Sequence, residues 1–312
     1  MRERAMVPEP EFESYYGRQI IKTPTWKTPD VPLYLFVGGM AGAAALLAEG
    51  AAATGRPALE RVARTTAAGG AAVGTVALVH DLGRPERFLN MLRVLKVSSP
   101  LSVGSFILAP FGGLSHAALA SHLTGRLPRL GRLAGLGTAA LGPPLATYTA
   151  ALVANTAVPA WHEAHRELPF VFAGSGAAAA GGVAMLATPL DQAGPGRTMA
   201  VAGAALELAS STTMERRMGL VGEPYRKGRP GALMKASRAV TVASAALTVL
   251  AGRRSRAVSV LAGAGYVAGS LLTRFGVFEA GIASAKDPKY TVIPQKERAQ
   301  QREAAKTSPH PS

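Results

Sequence analysis

The sequence predicts an all-α integral membrane protein, a bundle of eight transmembrane helices, and three observations carry that prediction. Only 17% of the 312 residues are Asp, Glu, Lys or Arg. Ala, Gly, Leu and Val fill runs longer than the core helix of a soluble domain needs. The remaining charges gather between those runs, as they do at the ends of membrane helices.

A crossing needs about 20 apolar residues to cover roughly 30 Å of hydrocarbon. Residues 31–48, 65–80, 97–125, 133–162 and 168–190 carry no charged side chain other than His and give five spans. Residues 198–206, 239–252 and 257–273 are shorter uncharged windows. Each becomes a span if flanking Arg and Lys snorkel outward or if Glu207 lies inside the bilayer, and the sixth and seventh are the least well marked. The expected organisation is a polar tail (1–30), one membrane domain (31–275) and a charged tail (276–312). The first thirty residues have no apolar h-region, so the first span is expected to act as its own insertion signal. The closing stretch "KERAQQREAAKTSPHPS" has almost no large apolar side chains and is expected to be disordered or held by a partner. Glycines four apart, Gly38 with Gly42, Gly70 with Gly74 and Gly265 with Gly269, either let helices approach closely or reflect composition alone.

Composition also excludes. With no cysteine the chain has no disulfide, thiolate metal site or cysteine-held iron–sulfur cluster, so an electron passing through it needs another carrier. A net charge of +15 suggests nucleic acid in a soluble protein, but here Arg and Lys sit at helix ends, where topology explains them. Counting crossings puts the amino terminus, the loops at 81–96, 159–168 and 213–238, and the carboxy-terminal tail on one side, face A. Face B receives four short Arg-rich turns. Face A outside is the weakly favoured orientation.

Face A holds the unusual chemistry: Trp26, His80, Asp81, Arg84, Glu86, Arg87, Asn90, Asn155, Trp161, His162, Glu163 and Glu215. The densest part is "VHDLGRPERFLNMLRVLKV", Val79 to Val97, a polar knot between two long apolar runs. In it Gly83 permits a tight turn, Pro85 suits a helix start, and Arg84 and Arg87 can order the loop by binding Asp81, Glu86 or a partner's acidic surface.

Three blocks, "PLYLFVGGMAGAAALLAE", "HDLGRPERFLNMLRVLKVSSPLSVGSF" and "YTAALVANTAVPAWHEAHRELPFVFAGS", resemble the NrfD/PsrC-type membrane subunits of bacterial molybdenum oxidoreductases over about residues 25–275. The middle block is the specific one. The resemblance implies a multi-pass protein of the bacterial cell membrane, built as two four-helix halves. It implies no haem, quinone (menaquinone or ubiquinone) bound near the face that carries an iron–sulfur subunit, a molybdopterin catalytic subunit beyond it, and in some members proton movement. The polysulfide-reductase branch places a histidine just before its first span. This chain has none before His80, and Trp26 stands in that neighbourhood, so that ligand set does not transfer whole.

Quinone chemistry moves two electrons and two protons, so each carbonyl needs a hydrogen-bonding group and the site a proton route. His80 and Asp81 are typed for proton exchange. Neighbours on a helix point about 100° apart, however, and in the alternative reading Asp81 caps a helix end and pairs with Arg84 or Arg87 while His80 sits at the interface. Tyr148 and Asn155, seven apart on the fourth span and so on one helix face, either bind a quinone carbonyl or join helices. Trp26 either lines the quinone pocket or belongs to an aromatic belt. Glu49 and Glu207 are proton-path candidates, Glu49 tuned by a neighbour such as Arg56; in the bland reading Glu49 snorkels and Glu207 marks an ill-defined span. A haem-b anchor needs two depth-matched histidines, and His80, His116 and His122 supply no obvious pair. A secondary transporter or a passive anchor without quinone chemistry remains the alternative from other classes.

Overall fold

The computed structural model describes residues 20–84 and 86–307. Among them there is no β-strand, and the helices are α1 (Asp30–Ala53), α2 (Pro57–Asp81), α3 (Glu86–Met91), α4 (Pro100–Thr124), α5 (Pro128–Ala154), α6 (Pro159–Glu163), α7 (Leu168–Ala187), α8 (Gly194–Arg217), α9 (Gly228–Ala251), α10 (Arg256–Lys286) and α11 (Lys289–Thr307). Short 3-10 turns lie at Ala164–Arg166 and Gly219–Tyr225.

Among the described residues six helices, α1, α2, α4, α7, α9 and α10, are long and apolar enough to cross a membrane. The chain is therefore a multi-pass, all-helical membrane protein. Two further helices match them in length but not in composition. In α5 the Gly, Pro and Thr content dilutes the apolar character, and α8 carries Arg197, Glu207, Glu215, Arg216 and Arg217. The sequence had marked the fourth window as secure and the seventh as weak; by composition their places are exchanged.

The long helices pack in two sets. In the first, α1 lies against α2 and α5, and α4 against α5 and more thinly against α2; in the second, α7 lies against α8 and α10, and α9 against α10. The sets meet chiefly along α1 and α7. These central helices are close because their contacts are made of glycine. A Cβ on Gly42 or on Gly142 would run into the other's carbonyl oxygen, and a Cβ on Gly176 would stand 2.6 Å from the Gly39 oxygen. Gly174 meets Gly203, Gly181 meets Gly196 and Gly182 meets Gly263 in the same way. Backbone-to-backbone approach of this kind is how helices gain van der Waals contact where lipid offers no hydrophobic drive. Of the spaced glycines of the sequence Gly42 serves it, and most of the others make room for a neighbour's side chains. Gly70 and Gly74 pack on α1 and Gly265 and Gly269 on α9, whereas Gly38 has open space.

Helix ends follow local chemistry. Gly83 (φ 69°) and Gly125 (φ 67°) take the left-handed conformation just past α2 and at the end of α4, where a side chain would be strained. Ser99 caps α4 by accepting from the Ser102 amide, with Pro100 next in line. Two expectations need correction. The fourth window does not continue as one helix to 162: α5 stops at Ala154, because Pro159 opens α6 and holds Val158 extended (ψ 117°). The last long helix, α10, runs past residue 275 to Lys286, and most of the stretch expected to be disordered or held by a partner is α11. Glu, Lys, Arg, Gln and Ala are strong helix formers whether or not they have a core to bury.

Candidate functional site

At the face A end of the first helix set is a cavity of about 290 Å³, whose walls include Trp26, Val31, Tyr34, Leu78, Asp81, Leu101, Asn155 and Trp161. Its roof is the segment before α1, held down at two points. The Trp26 ring stacks on Trp161 (centroids 5.4 Å, 25° between planes), and the Lys27 backbone N–H donates to Asp81 Oδ1 at 2.9 Å. Trp161 is itself fixed. It is 1% exposed, donates its indole N–H to the Val277 carbonyl at 2.8 Å, packs on Phe278, and fills the space left by the missing side chain of Gly281. Tyr34, one turn into α1, lines the same cavity, and its hydroxyl is buried without a hydrogen-bond partner. A buried hydroxyl without a partner is costly. The walls suit a flat, mostly apolar guest, and the carboxylate, amide and phenol suit polar atoms at its edges.

Four of the residues singled out from the sequence, Trp26, Asp81, Asn155 and Trp161, thus come together around one space. His80 does not join them. Its side chain is 72% exposed and its Nδ1 lies 2.7 Å from Asp30 Oδ2, because the helical rotation that turns Asp81 inward turns His80 out. Asp81 is held by the Lys27 amide. Arg84 is exposed, and the side chains of Arg87 and Pro85 fall outside the described residues. Tyr148 and Asn155 differ in surroundings: Asn155 is the cap after α5, on the cavity, while Tyr148 is buried, edge-on to Tyr34 (6.4 Å) and pressed against Gly104. Sequence reasoning missed Tyr34 altogether. The available signal was its place as the tyrosine within the first apolar run, four residues below Asp30.

A second face A cavity of about 270 Å³, lined by His162, Glu163, Tyr290 and Arg298, shares Thr156 with the first and so lies next to it. Around it the loops are tied by charge. Hydrogen bonding from Arg217, at 2.7 and 2.8 Å, holds the Glu167 carboxyl below the usual carboxylate range. Contacts from Lys227, Lys289 and the Tyr290 hydroxyl lower Glu223 to about 2, tying α11 to the Gly219–Tyr225 turn.

Face B has its own polar group in the same helix set. Arg64, 7% exposed, bridges Glu49 at 2.9 Å and Glu60 at 2.8 Å, and His122 Nδ1 lies 3.3 Å from Glu60. They line a cavity of about 750 Å³ with Ser121 and Arg132. Beyond Glu49 and Arg64 a void of about 10 Å³, room for roughly one water, reaches Ser115 and Thr138. The neighbour of Glu49 is therefore Arg64 and not Arg56, whose Nη1 lies 3.4 Å from the Thr54 carbonyl. The α1–α2 hairpin brings Arg64 back alongside Glu49.

Glu207 sits in the second set, 3% exposed, accepting from the Thr273 hydroxyl at 2.5 Å, with Ser237 2.6 Å beyond. Next in sequence to Thr273 is the fully buried Arg274, which donates to the Phe172 carbonyl at 2.8 Å and lies over the Phe172 ring. Glu207 is thus a packed, hydrogen-bonded residue on α8, remote in chain and in helix set from the Glu49 group.

No curated protein sequence matches the chain. The profile of a family described as "Polysulphide reductase, NrfD" matches residues 21–194, more than half of the chain and all of the first helix set with both of its large end cavities. On that match, the protein belongs to the NrfD family of polysulphide reductase membrane subunits.

Proposed function

We propose that the face A cavity is a quinone site and that this chain passes electrons between the membrane quinone pool and an iron–sulfur protein docked on face A, which serves a molybdopterin catalytic subunit. The observation that carries the reading is a cavity walled by Trp26, Trp161 and Tyr34 and edged by Asp81 and Asn155, with the Tyr34 hydroxyl buried and unpartnered among the described residues. A quinone fits that donor set. Tyr34 donates to one carbonyl and the Asn155 amide to the other, and the indoles cover the ring faces.

In quinol oxidation two electrons leave to the iron–sulfur partner and two protons leave to the chain. Asp81 takes the two protons at the cavity in turn, passing the first to water before it accepts the second. One of its oxygens is held by the Lys27 amide, and the other remains for exchange. His80 serves at the aqueous rim through its contact with Asp30 rather than at the ring. Thr156, shared with the cavity that His162 and Glu163 line, marks a second way to water. Eight crossings rather than six complete the bundle in this reading, since α5 and α8 match their neighbours in length and pack among them. Transmembrane proton movement, where it accompanies the electron transfer, uses Glu49 with Arg64 on the opposite face, and Glu207 in the second set.

The test is Asp81→Asn in the complete complex in native membranes. Quinone-linked turnover should fall about 100-fold or more, the scale of a lost general base, while turnover of the catalytic partner with a soluble dye stays at the wild-type rate. Unchanged quinone-linked turnover overturns the reading.

A further inference from the structure

The seam between α2 and α4 holds a groove of about 440 Å³, lined by Ala71, Ala72, Thr75, Phe88, Leu108, Ala109, Gly112, Gly113 and His116. We infer that this groove receives the polyprenyl tail of the carrier whose ring occupies the face A cavity, an inference that rests on the quinone reading above.

Register supports this first. The face A ends of the same two helices form one side of the cavity, through Leu78, Asp81 and Leu82 of α2 and Pro100 and Leu101 of α4. On α2, Thr75 and Ala71 lie three and seven residues below Leu78, on α4 Leu108 lies seven below Leu101, and these spacings keep one helix face. The groove therefore lies below the cavity along the same two helices. From Leu101 to His116 the helix covers about 22 Å, enough for several isoprene units. Phe88 of α3, between α2 and α4, also lines the groove.

The glycines support it independently. Gly42, Gly142, Gly174, Gly176, Gly181, Gly182, Gly203 and Gly263 are needed because a neighbouring helix backbone lies where a side chain would go. At Gly112 and Gly113 a Cβ would meet nothing within 4 Å. Two successive glycines in a helix interior each cost up to about 1 kcal/mol against alanine, and here no packing within the chain explains them. Gly38 and Gly69 also have open space, but Gly112 and Gly113 are the ones that line this groove, beside the thinnest neighbour contact of the first helix set.

The chain has two tryptophans, Trp26 and Trp161, and both line the cavity. Quinone binding to the full chain in lipid nanodiscs is therefore read directly by quenching of intrinsic fluorescence. The probes are menadione, which has no tail, and menaquinone-4, each expressed as mole fraction in lipid. Wild type should bind menaquinone-4 about tenfold more tightly than menadione, and Gly113→Leu, which fills the groove without a clash, should abolish most of that difference. Its menadione affinity should stay within about twofold of wild type, which also reports that the variant is folded. Gly69→Leu, on α2 outside the groove and likewise with open space at its Cβ, should behave as wild type. Equal affinity of wild type for the two probes, or a Gly113→Leu variant that keeps the wild-type preference, overturns the tail assignment and leaves the groove to bulk lipid. Equal loss of both probes in Gly113→Leu also overturns it, since the effect then lies at the ring site. Failure of menadione to quench wild type overturns the quinone reading itself, and the tail assignment with it.

Discussion

Removing one oxygen, Tyr34→Phe, should move stability and binding in opposite directions. Tyr34 is 2% exposed and its hydroxyl has no partner among the described residues, so without a guest that group bears the cost of lost hydration with no return. Phenylalanine keeps the ring, its edge contact with Tyr148 and the shape of the wall. Relief of an unsatisfied buried hydroxyl is worth about 1 kcal/mol at the low end of the usual range, which raises the melting temperature of a chain this size by roughly 2 °C. With quinone bound the same hydroxyl becomes a donor to a carbonyl, and a net hydrogen bond of about 1 kcal/mol is a factor of about five in affinity. The free variant should therefore melt higher than wild type while binding menadione about fivefold more weakly, so that saturating menadione raises its melting temperature less. Thermal unfolding in detergent with and without menadione, followed by circular dichroism, measures both. A variant that melts lower when free and binds menadione as wild type does would refute the reasoning, because the hydroxyl would then have a partner within the protein.

Other expectations follow from the charge clusters. Arg64→Met leaves Glu49 and Glu60 without their shared cation in a partly buried setting and should destabilise the chain by about 3 kcal/mol, with Glu49→Gln in the same chain restoring part of it; denaturation of the three proteins checks this. The Glu223 carboxyl is depressed to about 2 by Lys227, Lys289 and Tyr290, so its hold on α11 is fully present above the ordinary carboxylate range and is lost as pH falls toward about 2. A spin label on α11 should gain mobility over that acid window in wild type, and should already be mobile at neutral pH in Glu223→Gln. His80→Ala, which removes a side chain outside the cavity, should lower quinone-linked turnover far less than Asp81→Asn does, measured in the same membranes.

Much of the bundle was legible because membrane spans are written in composition: an uncharged run of the right length has few other uses. The fourth window misled because a run of uncharged residues conceals a helix end, and the proline at 159 was a better guide than the absence of charge. The helix α11 was missed for the opposite reason, since a charged sequence without a core can still be a good helix. At the site, Trp26, Asp81 and Asn155 stood out as polar or aromatic residues at a boundary, and they do meet. His80 shows what adjacency in sequence leaves out. Next to Asp81 in the chain, it points away from it in space, and only the neighbours of α2 decide which of the two faces inward. Tyr34 was hidden by its surroundings, because a tyrosine in an apolar run reads as an ordinary wall residue until its hydroxyl is found to have no partner. Arg64 was hidden by distance along the chain, fifteen residues from Glu49, which the α1–α2 hairpin closes to 2.9 Å.

Labelling of the full chain in its native membranes with a photoactivatable azidoquinone, followed by peptide mapping, tests the central claim most directly. The account predicts adducts on the segments containing Trp26 to Tyr34, Leu78 to Leu82 and Asn155 to Trp161, lost when excess menaquinone competes. Competed adducts confined to the face B cavity around Glu49 and His122, or to the second helix set around Glu207, would contradict it.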